Sequence, residues 1–189
     1  MTVAFASTAG LRQDRDVRWA VIVNGPPGSG KTTLARPVAR ALGVPLFAKD
    51  AVKETLLDEL GYADRAESRR IGAASGEVLW TLLRDCPTPA VVESWLAPST
   101  RDIVRRGLDR AAIDRIVEVW CECPPEEARR RYTARNRHPG HFDRELVSNL
   151  DDVLAAAEPL GIGEVIMVRT DLDVHVDRLA TEIRSRFGD

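Results

Sequence analysis

One stretch restricts the fold more than any other: GPPGSGKT at residues 25–32, preceded by WAVIVN and followed by the helical pattern TTLARPVARAL. A continuous apolar run with β-branched residues reads as a buried parallel strand. The glycines let the backbone curl with its N–H groups turned inward. Pro26 and Pro27 stiffen that curl and leave no N–H at their positions. A helix opening near Lys31 adds its positive N-terminal end. Strand, glycine-rich turn, lysine and hydroxyl in this order form the G-x-x-x-x-G-K-[ST] phosphate loop. Gly25, Pro26, Pro27, Gly28, Ser29, Gly30, Lys31, Thr32 and Thr33 are therefore the candidate nucleotide-binding residues. A Cβ at Gly30 is expected to obstruct the phosphates. Lys31 is expected to reach the β- and γ-phosphates of ATP, and the Thr32 hydroxyl to hold Mg²⁺.

The rest of the chain alternates strand and helix patterns. Further strands are expected at 44–50, 89–95, 114–123 and 163–170. Helices are expected at 51–60, at 64–84 (weakened by Gly72 and Gly76), from a Ser/Thr cap at 99–100, from 124, after 143, and at the end of the chain. This alternation implies an α/β fold, a three-layer P-loop NTPase fold with a five-stranded parallel sheet and helices on both faces. A small arginine-bearing lid is expected at about 128–143. Residues 1–17 read as a loose arm, and 18–189 as a single domain without repeats or linkers.

The formal net charge of -2 gives no electrostatic reason to expect nucleic-acid binding. No apolar run approaches the ~20 residues of a membrane span. The N-terminal stretch lacks the basic region and apolar core of a secretory signal. Cys86, Cys121 and Cys123 form no disulfide or zinc framework and read as reduced core cysteines. A cytoplasmic monomer or homodimer is the expectation.

The use of the nucleotide is sought at the ends of the other strands, where an open parallel sheet places its ligand crevice. No N-K-x-D guanine signature is present, and no strand ends in the paired acids of a motor ATPase. Single acids follow instead. Asp50 closes the second strand in FAKD, and Glu93 the third in VVES. Asp50 suits a group that accepts or orients the proton of an attacking hydroxyl, and also suits a helix N-cap. Glu93 suits acceptor contact or metal work, or else a structural or magnesium-shell carboxylate. Arg131 and Arg135 lie one helical turn apart, where they can stabilise a transferring phosphoryl group or form a solvated basic face. Arg129 and Arg130 fit the solvated face. Arg137 and His138 follow in a Gly/Pro-containing loop, and His138 and His141 suit lid packing better than a metal site.

The segments GPPGSGKTT, FAKDAVKETL, VVESW and CPPEEARRRYTAR, with the loop after them, resemble the small P-loop kinases of the nucleoside-monophosphate-kinase-like group. That group includes gluconate kinases, chloramphenicol phosphotransferases, zeta toxins and the kinase part of polynucleotide kinases. The resemblance spans residues 19 to about 185. It implies that Asp50 is the catalytic carboxylate and that Arg131 and Arg135 belong to the lid. The HFDRELVSNLDDVLAAAEP segment is also similar to gluconate kinases, which carry Ser-Gln where this chain has VSNL. The acceptor is therefore not transferable from the resemblance.

The expected acceptor wall is the 62–84 helix with Trp80, and the 93–101 turn with Trp95 and Arg101. The tryptophans can stack on a ligand or fill the core. Lys49, Lys53, Arg69 and Arg70 can meet an anionic acceptor or face solvent. Catalysis is thus assigned to Asp50, Lys31, Arg131 and Arg135, acceptor contact to Asp50, Lys53, Glu93, Trp95 and Arg101, and metal ligation to Thr32. The reaction expected is transfer of the γ-phosphate of ATP to a hydroxyl of a small molecule such as an antibiotic, nucleoside or sugar. The alternatives are a polynucleotide 5′-hydroxyl kinase and a non-catalytic nucleotide-binding module.

Overall fold

A computed structural model describes residues 17–142 and 147–188. Residues 1–16 of the expected arm, Asp143 of the expected lid, and Asp189 lie outside the described residues. Among the described residues there are five strands: β1 (Trp19–Asn24), β2 (Leu46–Ala48), β3 (Ala90–Glu93), β4 (Arg115–Glu122) and β5 (Glu164–Arg169). They pair in parallel in the order β2-β3-β1-β4-β5. The α-helices among them are α1 (Lys31–Leu42), α2 (Lys49–Leu60), α3 (Arg65–Asp85), α4 (Arg101–Arg110), α5 (Pro125–Ala134), α6 (Leu150–Ala155) and α7 (Val176–Phe187).

The period of two in β1 divides the core between the two faces of the sheet. Val21 and Val23 pack with Leu34 and Val38 of α1 and Leu179 and Ile183 of α7. Ala20 and Ile22 pack with Leu79 and Leu83 of α3 and Val104 and Leu108 of α4. A satellite cluster of Ala128, Tyr132, Leu150 and Leu154 joins α5 to α6. Trp80 belongs to the α3–α4 layer, 5% exposed. It presses on Gly107, where a Cβ would lie 2.5 Å from its ring, so it is core and not acceptor wall.

Three sequence-based boundaries shift for local reasons. The expected strand at 44–50 shortens to Leu46–Ala48. Val44 is drawn back to Ala39 O by the Gly43 cap of α1, and Pro45 has no N–H to give to the sheet. The chain then turns helical at Lys49, so Asp50 lies in the first turn of α2 rather than at a strand end. Ala48 is the N-cap, which removes the capping role considered for Asp50. The expected Ser/Thr cap of α4 makes no capping bond. Thr100 donates its hydroxyl to Ala97 O within the 3-10 turn Pro98–Thr100. The helix expected after 143 is shorter within the described residues: a 3-10 turn, Val147–Asn149, leads into α6.

The carboxyl ends of β1, β2 and β3 lie side by side, with Val23 in register with Glu93 and Glu93 with Ala48. The chain returns across β1 between β3 and β4, which opens the crevice that open α/β sheets use for ligands.

Candidate active site

The loop leaving β1 is anchored from below by buried polar groups. Asn24 Oδ1 accepts from Gly25 N at 2.8 Å and from Leu96 N at 2.9 Å. Its Nδ2 donates to Leu96 O and to Glu118 Oε1. Glu118 is fully buried and also accepts from Leu160 N and Gly161 N, each at 2.9 Å. One network thus ties the start of the phosphate loop to the segment after β3, to β4 and to the segment before β5. The sequence reading missed it. Its signal was an acid in the middle of the apolar strand IVEVW.

The loop itself has the expected curl. Gly28 and Gly30 have φ of 79° and 83°, the left-handed region that favours glycine. The tightest approach is at Gly28, where a Cβ would sit 2.0 Å from Ala128 O on α5. At Gly30 the nearest atoms would be 3.4 Å away, so within the protein backbone conformation rather than space requires glycine there. The Gly25 position backs onto Cys121, whose thiol burial pushes up to about 12, leaving it an inert core group.

Lys31 opens α1 and is 7% exposed. Its Nζ lies 3.5 Å from Pro26 O. Burial pulls its ammonium below the usual range, against the opposing charges of Glu93 and Asp50. Next to it, Thr32 Oγ1 donates to Glu93 Oε1 at 3.1 Å. Glu93 is 1% exposed, and its Oε2 is buried with no hydrogen-bond partner among the described residues. Burial pushes the Glu93 carboxyl up, despite the pull of Lys31. An orphaned carboxylate oxygen beside the phosphate-loop hydroxyl is a donor set that fits Mg²⁺. Thr32 and Glu93 would hold the ion, the metal role that the sequence allows for Glu93 beside acceptor contact.

Asp50 faces this group from α2 and forms an ion pair with Arg137. Burial opposes its ionisation, but Arg137, His141, Lys49 and Lys31 outweigh burial and hold its carboxyl below the usual range. Arg137 carried no assigned role in the sequence reading; its only signal was its place after the spaced arginines. Arg131 donates from Nε to Glu127 at 2.6 Å and from Nη1 to Thr170 O at 3.1 Å. Arg135 follows the end of α5 in extended conformation, so the two arginines do not share a helical face. It stacks over the Tyr132 ring at 4.1 Å. Both still reach the cleft. Arg129 and Arg130 are exposed and pair with Asp151 and Glu127, as a solvated face does.

Two neighbouring cavities result, which share part of their lining. The larger, 780 Å³, is lined by the phosphate loop, Glu93, Arg131 and Thr170. The smaller, 180 Å³, is lined by Lys49, Lys53, Ser94, Trp95, Tyr132 and His141 among others. Lys31, Asp50, Arg135 and Arg137 line both. Arg101 reaches neither. It donates to Leu160 O at 2.6 Å and fastens the start of α4 to the segment before β5. Arg69 and Arg70 are exposed on α3, away from both cavities. The loop after α5 is clipped down: His141 to Glu54 at 2.7 Å, His138 to Asp58 at 3.0 Å, and Ser68 Oγ to Gly140 O. No cluster of three metal-ligating side chains of the His, Cys, Asp and Glu type occurs among the described residues. No helix among them is long and apolar enough to cross a membrane.

A parallel sheet in this order, with a phosphate loop after its central strand, defines the α/β fold of the small P-loop kinases. The family model described as an AAA domain matches residues 21–160, and the chain belongs to that family. A solved structure from Chloroflexus aurantiacus, provisionally called a kinase, is 27% identical with a TM-score of 0.76, covering 90% of this chain and 99% of that one. The APS kinase of Mycobacterium tuberculosis (24% identity, TM-score 0.58) shares the fold over 91% of this chain and 98% of its own. So does a gluconokinase of Sinorhizobium meliloti (22%, 0.57), over 92% and 95%. Among curated proteins, a cytidylate kinase of Pyrobaculum neutrophilum is 43% identical over 58 residues, 31% of each chain. The protease ATPase subunit HslU of Cereibacter sphaeroides is 25% identical over 152 residues, 78% of this chain and 31% of that protein. The chain spans about a third of the length of the curated relatives it matches.

Proposed function

We propose that this protein is an ATP- and Mg²⁺-dependent phosphotransferase that moves the γ-phosphate of ATP to a hydroxyl of a small molecule. One observation carries the reading: Asp50, Lys31, Arg135 and Arg137 line both the large cavity that holds the phosphate loop and the small cavity beside it. A donor and an acceptor need such shared residues, because in-line transfer places the phosphoryl group between them.

The triphosphate rests on the backbone of residues 25–32, with Lys31 at its terminal phosphates. Mg²⁺, when bound, neutralises charge on the phosphate oxygens. The acceptor hydroxyl lies at Asp50. As its oxygen bonds to the γ-phosphorus, the bond from that phosphorus to the ADP oxygen breaks and the hydroxyl proton passes to an Asp50 oxygen. A carboxylate held ionised by Arg137 is a weak base, but a loose transition state asks mainly for orientation until late in the transfer. Arg131, Arg135 and Arg137 take the charge that develops on the transferring group. The clipped loop beside them excludes water as a competing acceptor.

The test is ATP consumption by purified protein with Mg²⁺ against sugar acids, nucleosides, aminoglycosides, phenicols and a 5′-hydroxyl oligonucleotide. Mass spectrometry reads the gain of one phosphate on each acceptor. Asp50→Asn should keep ATP binding and lose transfer by about 10²-fold or more. ATP binding with no transfer to any acceptor would point instead to a nucleotide-binding module.

A further inference from the structure

Helix α2 carries three acids one helical turn apart: Asp50, Glu54 and Asp58. Like charges at this spacing repel and weaken a helix on its own. Here each acid has a partner on the loop that follows α5. Asp50 pairs with Arg137, Glu54 with His141 and Asp58 with His138. Asp50 and Arg137 line both cavities, Glu54 lines the large one and His141 the small one, and Asp58 and His138 line neither. The stripe therefore begins at the reacting centre and runs out of it along the loop.

The hydrogen bonds fix the proton positions. His138 Nδ1 accepts from Gly140 N at 3.1 Å, so the ring proton sits on Nε2 and goes to Asp58 Oδ1 at 3.0 Å. His141 Nε2 lies 2.7 Å from Glu54 Oε1, and because a carboxylate only accepts, that nitrogen is a donor too. Burial, aided by the Arg137 charge, holds the His141 imidazole below its usual range, against the pull of Asp50 and Glu54. Both clips are thus hydrogen bonds from neutral rings. The turn between them has no slack. Gly140 is buried, and a Cβ there would lie 2.8 Å from Leu57 Cδ1 and 3.0 Å from Tyr62 Cζ. Its carbonyl accepts from Ser68 Oγ on α3. Arg137 directly precedes His138, so whatever fixes this turn fixes the backbone from which the guanidinium reaches out.

We propose that Glu54 and Asp58 are positioning residues that act through His141 and His138. They hold the backbone beside Arg137 so that its guanidinium reaches Asp50 and, when ATP is bound, the γ-phosphate. The loop serves as a fixed arm on which only the guanidinium swings. The place of the γ-phosphate rests on the phosphotransferase reading, but the positioning is read in nucleotide binding alone.

The test compares the Kd of Mg²⁺–ADP with that of Mg²⁺–AMPPNP by calorimetry, because their ratio reads contact with the third phosphate. Arg137→Met should lower the ratio about tenfold, the worth of a charge-assisted hydrogen bond. The paired variant Glu54→Ala/Asp58→Ala should lower it about threefold or more, with ADP binding retained as the check on folding. Glu54→Gln/Asp58→Asn removes the same two charges, yet should stay within about twofold of wild type, since an amide oxygen accepts from a neutral imidazole as a carboxylate does. Long-range ¹H–¹⁵N spectra should show His138 protonated at Nε2 and bare at Nδ1. An unchanged ratio in Arg137→Met overturns the proposal. So does a fall in Arg137→Met that the alanine pair does not share, which would make the clips packing alone. An equal fall in the alanine and amide pairs also overturns it, because the effect would then be one of net charge. A proton on His138 Nδ1 does the same. The expected ratios in a protein that phosphorylates no acceptor would sink the phosphotransferase reading and leave the positioning pairs.

Discussion

Asp50 and Glu93 face the same lysine, yet their carboxyls are displaced in opposite directions. Asp50 is depressed, so its ion pair with Arg137 contributes above the ordinary carboxylate range and is lost only as pH falls through the depressed value. Glu93 is raised, so on acidification the folded protein protonates it before an ordinary glutamate would be. Mg²⁺ needs the ionised form. The acid limb of transfer activity should therefore lie above the ordinary glutamate range and report Glu93 rather than Asp50. Raising Mg²⁺ should shift that limb to lower pH, because proton and metal compete for one carboxylate. A pH–rate profile whose limb ignores Mg²⁺ would rule this out. The residue types of the site were legible because a phosphate loop is a contiguous motif. The Thr32–Glu93 and Asp50–Arg137 contacts were not, since each joins residues more than sixty apart and depends on which strands become neighbours.

At the scale of elements, Glu118 shows how the site is held. Three donors from two different segments, Asn24 at the end of β1 and Leu160 and Gly161 before β5, converge on its carboxylate within the sheet. Glu118→Leu would leave Asn24, Leu160 and Gly161 with unmatched donors, each costing about 1–3 kcal/mol. The expected outcome is destabilisation of roughly 3 kcal/mol or more in urea unfolding, together with weaker nucleotide binding because the loop loses its anchor. Unchanged stability would show that the network is incidental. Strand and helix identities were readable from period and β-branching, as β1 and β4 show. The ends were not: β2 lost its flanks to the Gly43 cap and to Pro45, and Arg135 left the helical face because α5 stops at Ala134. Trp80 and Arg101 were misplaced for one reason. Nothing in a single chain tells an aromatic or arginine facing a cavity from one that packs on a glycine or clasps a carbonyl.

For the whole molecule, the donor site draws on the ends of β1, β3 and β5 and on α1, α2 and α5. A ligand there ties segments from most of the chain to one another. AMPPNP with Mg²⁺ at about 100 times its Kd should stabilise the fold by about 2.7 kcal/mol, a rise in Tm of about 5–10 °C for a chain of this size. Lys31→Ala should abolish most of that rise in a thermal melt while leaving the unliganded Tm within a few degrees. An equal rise in the variant would remove the lysine from the nucleotide site.

Gly28 rests against the carbonyl of Ala128, a main-chain atom that every amino acid carries alike. A genetic selection begun from an inactive Gly28→Ala strain could therefore not recover function by exchanging the residue at position 128, since no side chain there relieves the collision. Revertants should restore glycine itself, or alter the flanks of α5 so that the whole helix stands off from the loop. Two adjacent positions would then show no compensatory pairing in sequence, although their atoms are in contact.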